Sequence, residues 1–432
     1  MGEIATIVGG STPSRNKDEF WGGDIAWLTP TDLPMPGCGI AGVDNTASKI
    51  TGEGLASISA QLLPVGTVLF SSRATIGKLG ISRIPLATNQ GFANLIPKDV
   101  IDAKYLAYVL QYFTGDIAAL AGSTTFKEVN KTALRRFQIP LPAKSEQRQI
   151  VEILDQADAL RRRRAEADEK AARILPALFY KMFGDPATWA GLPNEALGDL
   201  VDMQGGGTPS KKRPDYWGNG FPWISAKDMK QDFLHDAQDY ITQLAIEETS
   251  SRLIGPNAIL VVVRGMILAR YVPLAVNSVP MAINQDIKAL SVKDKRISPL
   301  YLFAALKAAG QLLLARVGTA AHGTRKLDTD QLLSLPVRIP GDREHEVFLT
   351  WFDRLRDQAL KREVVSPQID SLFSILLHRA FSGDLTAKWR EAHMKEVVAE
   401  MEVQAKALES ADDDKVSEMN PRRRHHGKRR NS

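Results

Sequence analysis

The residues whose types could support catalysis or metal binding are a short acidic stretch and a single cysteine. Asp168, Glu169 and Lys170 have the residue types of a metal-dependent nuclease, but they lie in a predicted helix, where their side chains diverge. Cys38 lies in a loop rich in glycine and proline with no histidine nearby, so we interpret it as incidental. One Cys and seven scattered His offer no zinc-site spacing. The sequence therefore predicts neither a catalytic centre nor a structural metal.

Phosphate-binding and methyl-transfer motifs are also missing from the sequence. Residues 74–80, ATIGKLG, lack the upstream glycine and the following hydroxyl residue of a P-loop. Residues 205–210, GGGTPS, lack the third glycine of a dinucleotide-binding turn. The Asn/Asp-Pro-Pro-aromatic tetrapeptide of adenine methyltransferases does not occur either. Methyl transfer by this chain alone is therefore not predicted.

The composition is that of a folded protein with two domains. Its 432 residues exceed one ordinary core, and 44% are hydrophobic and 24% charged. No apolar run could span a bilayer and MGEIATIVGG is not a signal peptide, so we expect a cytoplasmic location. Residues 421–432 contribute six Lys or Arg to the net charge of +5, and the rest of the chain has 49 basic and 50 acidic residues. We interpret this tail as a solubilising end, with a nonspecific anchor as the alternative.

An internal repeat is the strongest signal in the sequence. Residues 9–33, GGSTPSRNKDEFWGGDIAWLTPTDL, align without a gap with residues 205–229, GGGTPSKKRPDYWGNGFPWISAKDM, and nine of the 25 positions are identical. The similarity continues to Asn-Gln pairs at 89–90 and 284–285, and apolar β-rich runs indicate a mixed α/β unit of roughly 140 residues. We interpret the shared Trp21, Trp27, Trp217 and Trp223 as core residues, with stacking on bases as the alternative.

Each repeat is followed by a long segment with helical periodicity. Between residues 145 and 182 the apolar positions are Ile150, Ile153, Ala157, Leu160, Ala167, Ala171, Ile174 and Leu178. Between residues 342 and 380 they are Phe348, Trp351, Leu355, Val365, Ile369, Leu372 and Leu376. This spacing is typical of the contact face of a coiled coil. Pro176 and Pro367 lie inside these segments and predict either a bend or two shorter collinear helices.

Together these patterns predict an α+β protein with two mixed α/β domains in tandem repeat, separated by two long helices. The predicted boundaries are a first domain at 1–144, a first long helix at 145–183, a second domain at 184–341 and a second long helix at 342–385. Residues 386–432 are predicted to form a charged helical extension and a disordered basic tail. Four arginines at 161–164 are interpreted either as a solvent-exposed face or as a contact with a partner or a phosphate backbone.

The order of these motifs across residues 2–390 resembles the specificity subunit of type I restriction-modification enzymes. The resemblance is carried by GGSTPS and GGGTPS, by SSRATIGKLG and VVVRG ahead of NQGF and NQDI, by STTFKEVNKTALRRFQIPLP, and by SEQRQIVEILDQADAL followed by LFYKMFGD. The chain departs from the family pattern in its short start, at Pro176, and at DREHEVFL, where the second copy usually has a Glu-Gln pair.

The resemblance implies that each domain is a target recognition domain, and that the long helices pack as an antiparallel coiled coil holding the domains at a fixed separation. Two similar domains would then read the two parts of a bipartite DNA target. The subunit would have no catalytic activity and no cofactor, because S-adenosylmethionine, ATP and magnesium would act on partner subunits. The implied partners are double-stranded DNA, two modification (methyltransferase) subunits and restriction (motor-nuclease) subunits, with no membrane.

Under this resemblance, the candidate DNA-binding residues are polar side chains on predicted loops. In the first domain they are Arg15, Lys17, Arg73, Lys78, Asn89, Gln90, Thr124 and Lys127, and in the second Lys211, Lys212, Arg213, Arg264, Arg270, Asn284, Gln285, His322, Arg325 and Lys326. Residues shared by both copies cannot distinguish two half-sites, so Arg73, Arg264 and the Asn-Gln pairs are assigned to phosphates or to the scaffold. The differing segments STTFKEV and AAHGTRK are preferred for base reading.

Two alternatives stay open on the sequence alone. The chain could be the recognition half of a restriction-methylation enzyme with residual catalysis, or a partner-binding scaffold that does not bind DNA. Dependence on a metal or on S-adenosylmethionine would indicate the enzyme. Absence of salt-dependent DNA binding would indicate the scaffold.

Overall fold

A computed structural model describes residues 1–73, 75–121, 128–189, 194–319 and 323–418. The chain divides into two compact units. Unit 1 comprises Met1–Arg163 with Ser366–Ser432, and unit 2 comprises Arg164–Val365. Each unit contains one copy of the repeat.

Unit 1 is built around a five-stranded sheet and a three-stranded sheet. Its strands are β1 (Ala5–Gly9), β2 (Trp21–Leu28), β3 (Ala41–Val43), β4 (Ser48–Ile50), β5 (Val68–Ser71), β6 (Leu79–Ser82), β7 (Leu86–Thr88) and β8 (Phe92–Pro97). The larger sheet has the order β1-β8-β5-β6-β3, in which only the pair β6-β3 is parallel. The smaller sheet has the order β4-β2-β7.

Unit 2 repeats both sheets. Its strands are β9 (Asn194–Ala196), β10 (Val201–Gly205), β11 (Trp217–Ile224), β12 (Phe233–Leu234), β13 (Asp239–Ile241), β14 (Leu253–Ile254), β15 (Ile259–Val262), β16 (Leu274–Asn277), β17 (Met281–Ile283), β18 (Ile287–Val292), β19 (Gly318–Thr319), β20 (Arg325–Lys326) and β21 (Pro336–Arg338). The larger sheet, β10-β18-β15-β16-β12, has the strand order of its counterpart in unit 1, and the smaller one, β13-β11-β17-β14, gains a strand. Short ladders join β21 to β9 and β19 to β20. The predicted tandem repeat of mixed α/β domains is therefore confirmed.

The helices are short within the repeats and long after them. They are α1 (Gly52–Ala56), α2 (Ala103–Tyr112), α3 (Thr114–Ala119), α4 (Lys131–Arg136), α5 (Lys144–Ala172), α6 (Ile174–Phe183), α7 (Leu197–Leu200), α8 (Gln243–Glu248), α9 (Pro299–Ala308), α10 (Gly310–Ala315), α11 (Thr329–Leu333), α12 (Asp342–Ser382), α13 (Ala387–Ala392) and α14 (Met394–Glu418). Within the described ranges, no helix is both long and apolar enough to cross a membrane.

Helices α2 and α9 form the core of their units with the five-stranded sheets. Each begins with a side-chain N-cap, Asp102 in α2 and Ser298 in α9, which accepts hydrogen bonds that the first helical turn would leave unpaired. Tyr105 and Tyr301 are buried, and each hydroxyl donates to a backbone carbonyl shortly before the following long helix. The same anchors therefore join sheet, helix and long helix in both copies.

The first long segment is divided into two helices near its proline, whereas the second is one continuous helix. In the first, α5 ends at Ala172 and α6 begins at Ile174, so that Pro176 is the third residue of α6. A backbone N–H at that position has no partner within the helix, so proline removes no hydrogen bond. In the second, α12 continues past Pro367 to Ser382. The division into two helices therefore occurs only in the first segment.

The long helices run antiparallel within each unit, as predicted. In unit 1, Arg161 of α5 contacts Asp370 of α12 at 2.8 Å, while Leu154 belongs to the same core cluster as Leu377. In unit 2, the Arg164 guanidinium donates to the carbonyl oxygen of Arg362 at 2.7 Å. Low-numbered residues of α5 therefore meet high-numbered residues of α12.

The predicted contact face of these helices is wrong at several positions. Leu160, Ile174, Trp351, Val365 and Leu372 are exposed. The buried residues of α12 are Phe348, Phe352, Phe373, Leu377 and Ala380, mostly one position after the predicted ones. The reason is that α12 also packs against α2 and α9, through the ring pairs Phe373–Tyr108 and Phe352–Phe303. The buried residues keep a spacing of three and four, and this contact displaces them by about one position from the predicted face.

The C-terminal extension packs on the start of α5 in unit 1. The buried carboxylate of Glu146 accepts hydrogen bonds from Thr386 at 2.6 Å and from Arg390 at 2.9 Å. Nearly two turns into α14, Glu400 accepts a hydrogen bond from the backbone N–H of Ser145 at 2.8 Å, at the positive end of α5, where a negative charge is stabilising. The predicted disordered basic tail, residues 421–432, lies outside the described residues.

Candidate nucleic-acid interface

A pair of tryptophans holds the Thr-Pro-Ser loop in unit 1, which we define as residues 11–17. The buried Trp27 donates its indole N–H to the carbonyl oxygen of Ser11, and Trp21 donates to that of Ser14, both at 3.1 Å. The two rings meet edge to face, with centroids 5.0 Å apart. The indoles therefore fix the backbone of the loop that carries Arg15.

Unit 2 builds the corresponding loop, residues 207–213, in the same way. Trp223 donates to the carbonyl oxygen of Gly207 at 3.0 Å, and Trp217 donates to that of Ser210 at 3.2 Å. Their ring centroids are 5.2 Å apart, again edge to face. The interpretation as core residues is confirmed for the buried Trp27 and Trp223, whereas Trp21 and Trp217 are half-buried and pack against those clusters.

The Asn-Gln pairs shape a turn beside each Thr-Pro-Ser loop. Asn89 accepts through Oδ1 from the backbone N–H of Gly91 at 2.9 Å, and Asn284 accepts in the same way from Asp286 at 3.1 Å. Such local bonds stabilise turns. Both asparagines therefore hold the turn through Oδ1, and their assignment to the scaffold or to a phosphate stays a prediction.

The glutamines of these pairs connect the turn to the loop. Gln90 and Gln285 are exposed, and each accepts a hydrogen bond through Oε1 from a loop threonine, Thr12 or Thr208. Their amide N–H groups have no partner among the described residues. An exposed amide at a fixed position can still donate to a base edge or to a phosphate.

A second turn continues this surface, after β5 in unit 1 (residues 72–78) and after β15 in unit 2 (residues 263–272). In unit 1 the backbone of Ser72 donates to Gly91 at 2.8 Å and accepts from Val129 at 3.0 Å. In unit 2 Val263 makes the two equivalent bonds, at 2.8 and 2.9 Å. We call the joined segments the loop edge: 11–17, 72–78, 89–91 and 128–129 in unit 1, and 207–213, 263–272, 284–286 and 325–327 in unit 2.

The family model for the type I restriction modification DNA specificity domain matches this chain twice. The matches cover residues 1–168 and 194–364, and thus include both loop edges. The chain belongs to this family of specificity domains. Family membership accounts for the repeated sheets and for the two long helices that follow them.

Curated relatives carry the name of the same subunit. The specificity subunit of the MjaIX type I restriction enzyme from Methanocaldococcus jannaschii is 29% identical over 279 residues, which is 60% of this chain and 63% of the relative. The EcoR124I/EcoR124II specificity subunit from Escherichia coli is 29% identical over 281 residues, 60% of this chain and 66% of the relative. Each match thus spans slightly less than two thirds of the relative's length.

Solved structures share the fold. A chain from a type I R-M system, described for complex assembly and conformational transition, has a TM-score of 0.51 at 17% identity and covers 89% of this chain and 97% of its own length. The S subunit from M. genitalium has a TM-score of 0.50 at 15% identity, covering 88% and 94%. At these identities the likeness concerns the fold alone.

Five of the residues predicted to bind DNA have a charged group without an ionic partner among the described residues. These are Arg15, Lys211, Lys212, Arg264 and Arg270, all of which are exposed. Within the described part of the chain none of them forms an ion pair, although the Arg15 guanidinium lies 5.9 Å from the centre of the Trp21 ring. They are the candidate residues most available to an anionic ligand.

Other predicted cations are already engaged within the protein. Lys78 is half-buried, and its ammonium donates to the carbonyl oxygens of Pro30 at 2.6 Å and Leu33 at 3.2 Å. This lysine binds the backbone of the segment 30–33, so its ammonium is not available to a ligand. The Arg213 guanidinium is clamped by both carboxylate oxygens of Asp215, a hydrogen-bonded pairing that lowers the pKa of that carboxyl group.

The remaining candidates form weaker links or lie outside the described residues. Surface ion pairs join Lys17 to Glu19 at 3.8 Å, Arg73 to Glu128 at 2.8 Å, and Lys326 to Asp328 at 2.5 Å, and Arg325 donates to Thr319 at 2.9 Å. Exposed pairs of this kind contribute little stability and can exchange for a phosphate. Thr124, Lys127 and His322 lie outside the described residues.

The four consecutive arginines are largely used in packing. Arg161 lies 4.4 Å from the centre of the Phe373 ring, and Arg162 bonds to the buried Asp158 at 2.5 Å. Arg164 forms an ion pair with Asp168 at 2.9 Å. Three of the four side chains therefore stabilise the helix surroundings, which neither interpretation from sequence anticipates.

Two exposed residues of the unit 2 loop edge are missing from the candidates, because only polar loop residues and no apolar or aromatic ones are predicted to bind DNA. Met266 and Tyr271 lie between and beside the predicted Arg264 and Arg270. The available signal was the comparison of copies, because the stretch after Arg73 in unit 1 has no counterpart to either side chain. Among the described residues, no group of three or more His, Cys, Asp or Glu could hold a metal ion.

Proposed function

We propose that this chain is a specificity subunit that binds double-stranded DNA and selects a bipartite target for a type I restriction-modification complex. The observation that carries the proposal is the duplicated loop edge, which has one backbone frame and two different sets of side chains. Identical frames would position the domains on the phosphate backbone, and the differing side chains would read two different half-sites.

The free cations of the loop edges supply the electrostatic part of this binding. Each phosphate neutralised by Lys or Arg releases condensed counterions, so affinity falls with salt concentration. Lys211 and Lys212 lie in the loop held by the tryptophans, directly after Ser210, and Arg264 and Arg270 lie in the second turn. A surface that combines free cations with fixed amides suits a grooved polyanion.

In this proposal the chain has no catalytic site and no cofactor of its own, and acts in the cytoplasm. S-adenosylmethionine, ATP and magnesium would act on two modification subunits and on the restriction subunits that it positions. The names of the relatives and the missing catalytic motifs support this assignment.

Methylome sequencing tests the proposal in cells that carry this chain with its modification subunits. We expect one bipartite methylated motif. Replacing residues 1–144 by the corresponding domain of another family member should change one half of that motif and leave the other intact. Simultaneous change of both halves would contradict the two-reader proposal.

Binding and turnover by the purified chain separate this function from its alternatives. With magnesium, ATP and S-adenosylmethionine but no partner, we expect neither cleavage nor methylation of DNA. Turnover by a clean preparation would indicate a residual enzyme. DNA affinity that does not change with salt, or no affinity, would indicate a scaffold.

A further inference from the structure

The loop edge of unit 2 carries a projecting segment, residues 264–271, that has no counterpart among the described residues of unit 1. Gly265, with φ of 136°, lets the chain leave β15, and a short 3-10 helix follows at Met266–Ala269. Leu268 and Val272 are buried and anchor the segment in the core of unit 2. The side chains between these anchors therefore project from a fixed base.

The projecting side chains are unusually apolar for a surface turn. Met266 is 66% exposed and Tyr271 is 51% exposed, and both lie within a few residues of the free Arg264 and Arg270. Single exposed apolar residues are common on proteins, but here they are combined with unpaired cations on one anchored segment. That combination suits a ligand with both anionic and nonpolar surface.

The same place carries a cation that no described residue neutralises. Arg264 lies opposite Lys326 in an isolated antiparallel bridge. Lys326 has a partner in Asp328 at 2.5 Å, while Arg264 has none among the described residues. In unit 1 the equivalent bridge joins Arg73 to a carboxylate, that of Glu128. A bound anion would give Arg264 the partner that Glu128 gives Arg73.

We propose that Met266 is a specificity-determining residue that contacts the nonpolar surface of a DNA base in the second half-site, while Arg264 and Arg270 bind the adjacent phosphates. This inference rests on the proposed function and deepens it. The nonpolar surface is either a thymine methyl group in a groove or the face of a partly unstacked base, since both accept a methionine side chain. The first half-site is read without such a contact.

The test uses the complete complex with its modification subunits and a duplex of the methylated motif. Met266→Ala is expected to weaken equilibrium binding to this duplex about tenfold, because it removes the nonpolar contact. Met266→Leu keeps the apolar volume and should remain within about twofold of the parent protein. Met401→Ala is the matched control, since Met401 is also half-exposed but lies on α14. It should bind like the parent.

Two sets of duplexes distinguish the sources of the nonpolar surface. Replacing thymines of the second half-site by uracil removes the methyl groups, and 2-aminopurine in the same half-site reports unstacking by a rise in fluorescence. If a methyl group is the ligand, uracil weakens the parent complex and has no further effect on the Met266→Ala complex. If an unstacked base is the ligand, the fluorescence rises with the parent complex and not with the variant.

The outcomes separate this inference from the function on which it rests. A folded Met266→Ala complex, judged by its thermal unfolding, that binds and methylates as the parent does would overturn the inference and leave the function standing. Equal weakening by Met401→Ala would overturn it as well. A parent complex without sequence-selective DNA binding would overturn both. An Arg264→Gln variant should lower the salt dependence of binding by about one counterion at every sequence tested.

Discussion

The turn at residues 72–78 in unit 1 and the turn at residues 263–272 in unit 2 share the two backbone hydrogen bonds made by Ser72 and Val263, and differ in length and chemistry. In unit 1, Arg73 is neutralised by Glu128, and Lys78 is tied to two carbonyl groups. In unit 2, Arg264 and Arg270 are unpaired among the described residues, and Met266 projects beside them. The first turn is closed on the protein, and the second is available to a ligand.

This difference shows that duplication preserves the frame while each copy changes its surface. The hydrogen bonds that fix the loop edge come from backbone groups and from side chains present in both copies, such as Trp27 and Trp223. The exposed side chains of these loops can differ between the copies, because they do not pack in the core. A recognition protein with two readers needs this separation of scaffold from surface.

Removing the shared scaffold should have the largest effect. Trp27→Ala and Trp223→Ala each delete a buried ring and the indole bond to a loop carbonyl, at an expected cost of about 3–5 kcal/mol. Each variant should lose the sequence requirement at one half-site of the methylated motif and keep the requirement at the other. Thermal unfolding and methylome sequencing measure the two effects.

The two variants serve as controls for each other. If either one abolished reading of both half-sites at a temperature where the protein stays folded, the loops would not be independent readers. A Trp27→Phe variant keeps most of the ring and removes only the N–H donor to Ser11, so it should cost about 1 kcal/mol.

The starts of the long helices offer the next contrast. Glu146 and Glu344 are both the third residue of their helix. Glu146 is buried beneath Thr386 and Arg390, whereas Glu344 forms a surface pair with Arg338 at 3.1 Å. Glu146→Ala should therefore cost about 2–3 kcal/mol, and Glu344→Ala less than about 1 kcal/mol. Denaturant unfolding of both variants measures the difference, and equal losses would contradict it.

Much of this fold is predictable from the sequence because the repeat and the helical period are strong signals. The face that α12 buries is not predictable in this way. Residues 351 and 372 have the spacing of a coiled coil, yet Phe352 and Phe373 are buried because α9 and α2 provide ring partners for them. Spacing within one helix contains no information about a neighbour that is distant in sequence.

The candidate site divides in a similar manner. Comparing the copies assigns the tryptophans and asparagines to the scaffold, since a shared residue cannot discriminate between targets. Polarity alone does not reveal that the Lys78 ammonium binds carbonyl groups 45 and 48 residues earlier in the chain. It also omits Met266, which is exposed although Leu268, two residues later, is buried.

Freeing Arg73 should make unit 1 resemble unit 2. Glu128→Gln removes the carboxylate that neutralises this arginine, at a cost to stability below about 1 kcal/mol because both side chains are exposed. One added phosphate contact would steepen the slope of log affinity against log salt by about 0.9. Salt-titrated binding of a duplex without the motif measures this slope. An unchanged slope would mean that Arg73 does not reach DNA. Asp44→Asn is the matched control, because it frees Arg83, which lies outside the loop edge.

The smallest expected effect concerns the fourth residue of the long helices, which can be protonated in one copy and not in the other. Gln147 is the fourth residue of α5 and bonds through its amide to the carbonyl oxygens of Val100 and Pro142, at 3.0 and 2.9 Å. The fourth residue of α12 is His345, whose Nε2 lies 2.9 Å from the hydroxyl oxygen of Ser298. Only the second helix start can therefore respond to pH near neutrality.

The direction of that response follows from the surroundings of His345. Burial lowers the pKa of the imidazole below its ordinary 6.5, and the nearby Asp342 opposes this shift only in part. Below about pH 6.5 the unfolded chain binds more protons at this residue than the folded chain, so the stability of unit 2 should fall as the pH falls. Hydrogen exchange at the starts of α9 and α12 should accelerate between about pH 6.5 and 5 beyond its intrinsic pH dependence, while α2 and α5 follow the intrinsic rate alone. His345→Gln restores the residue type of the first copy and should abolish the excess, whereas an excess that persists in this variant would assign the pH response to another group.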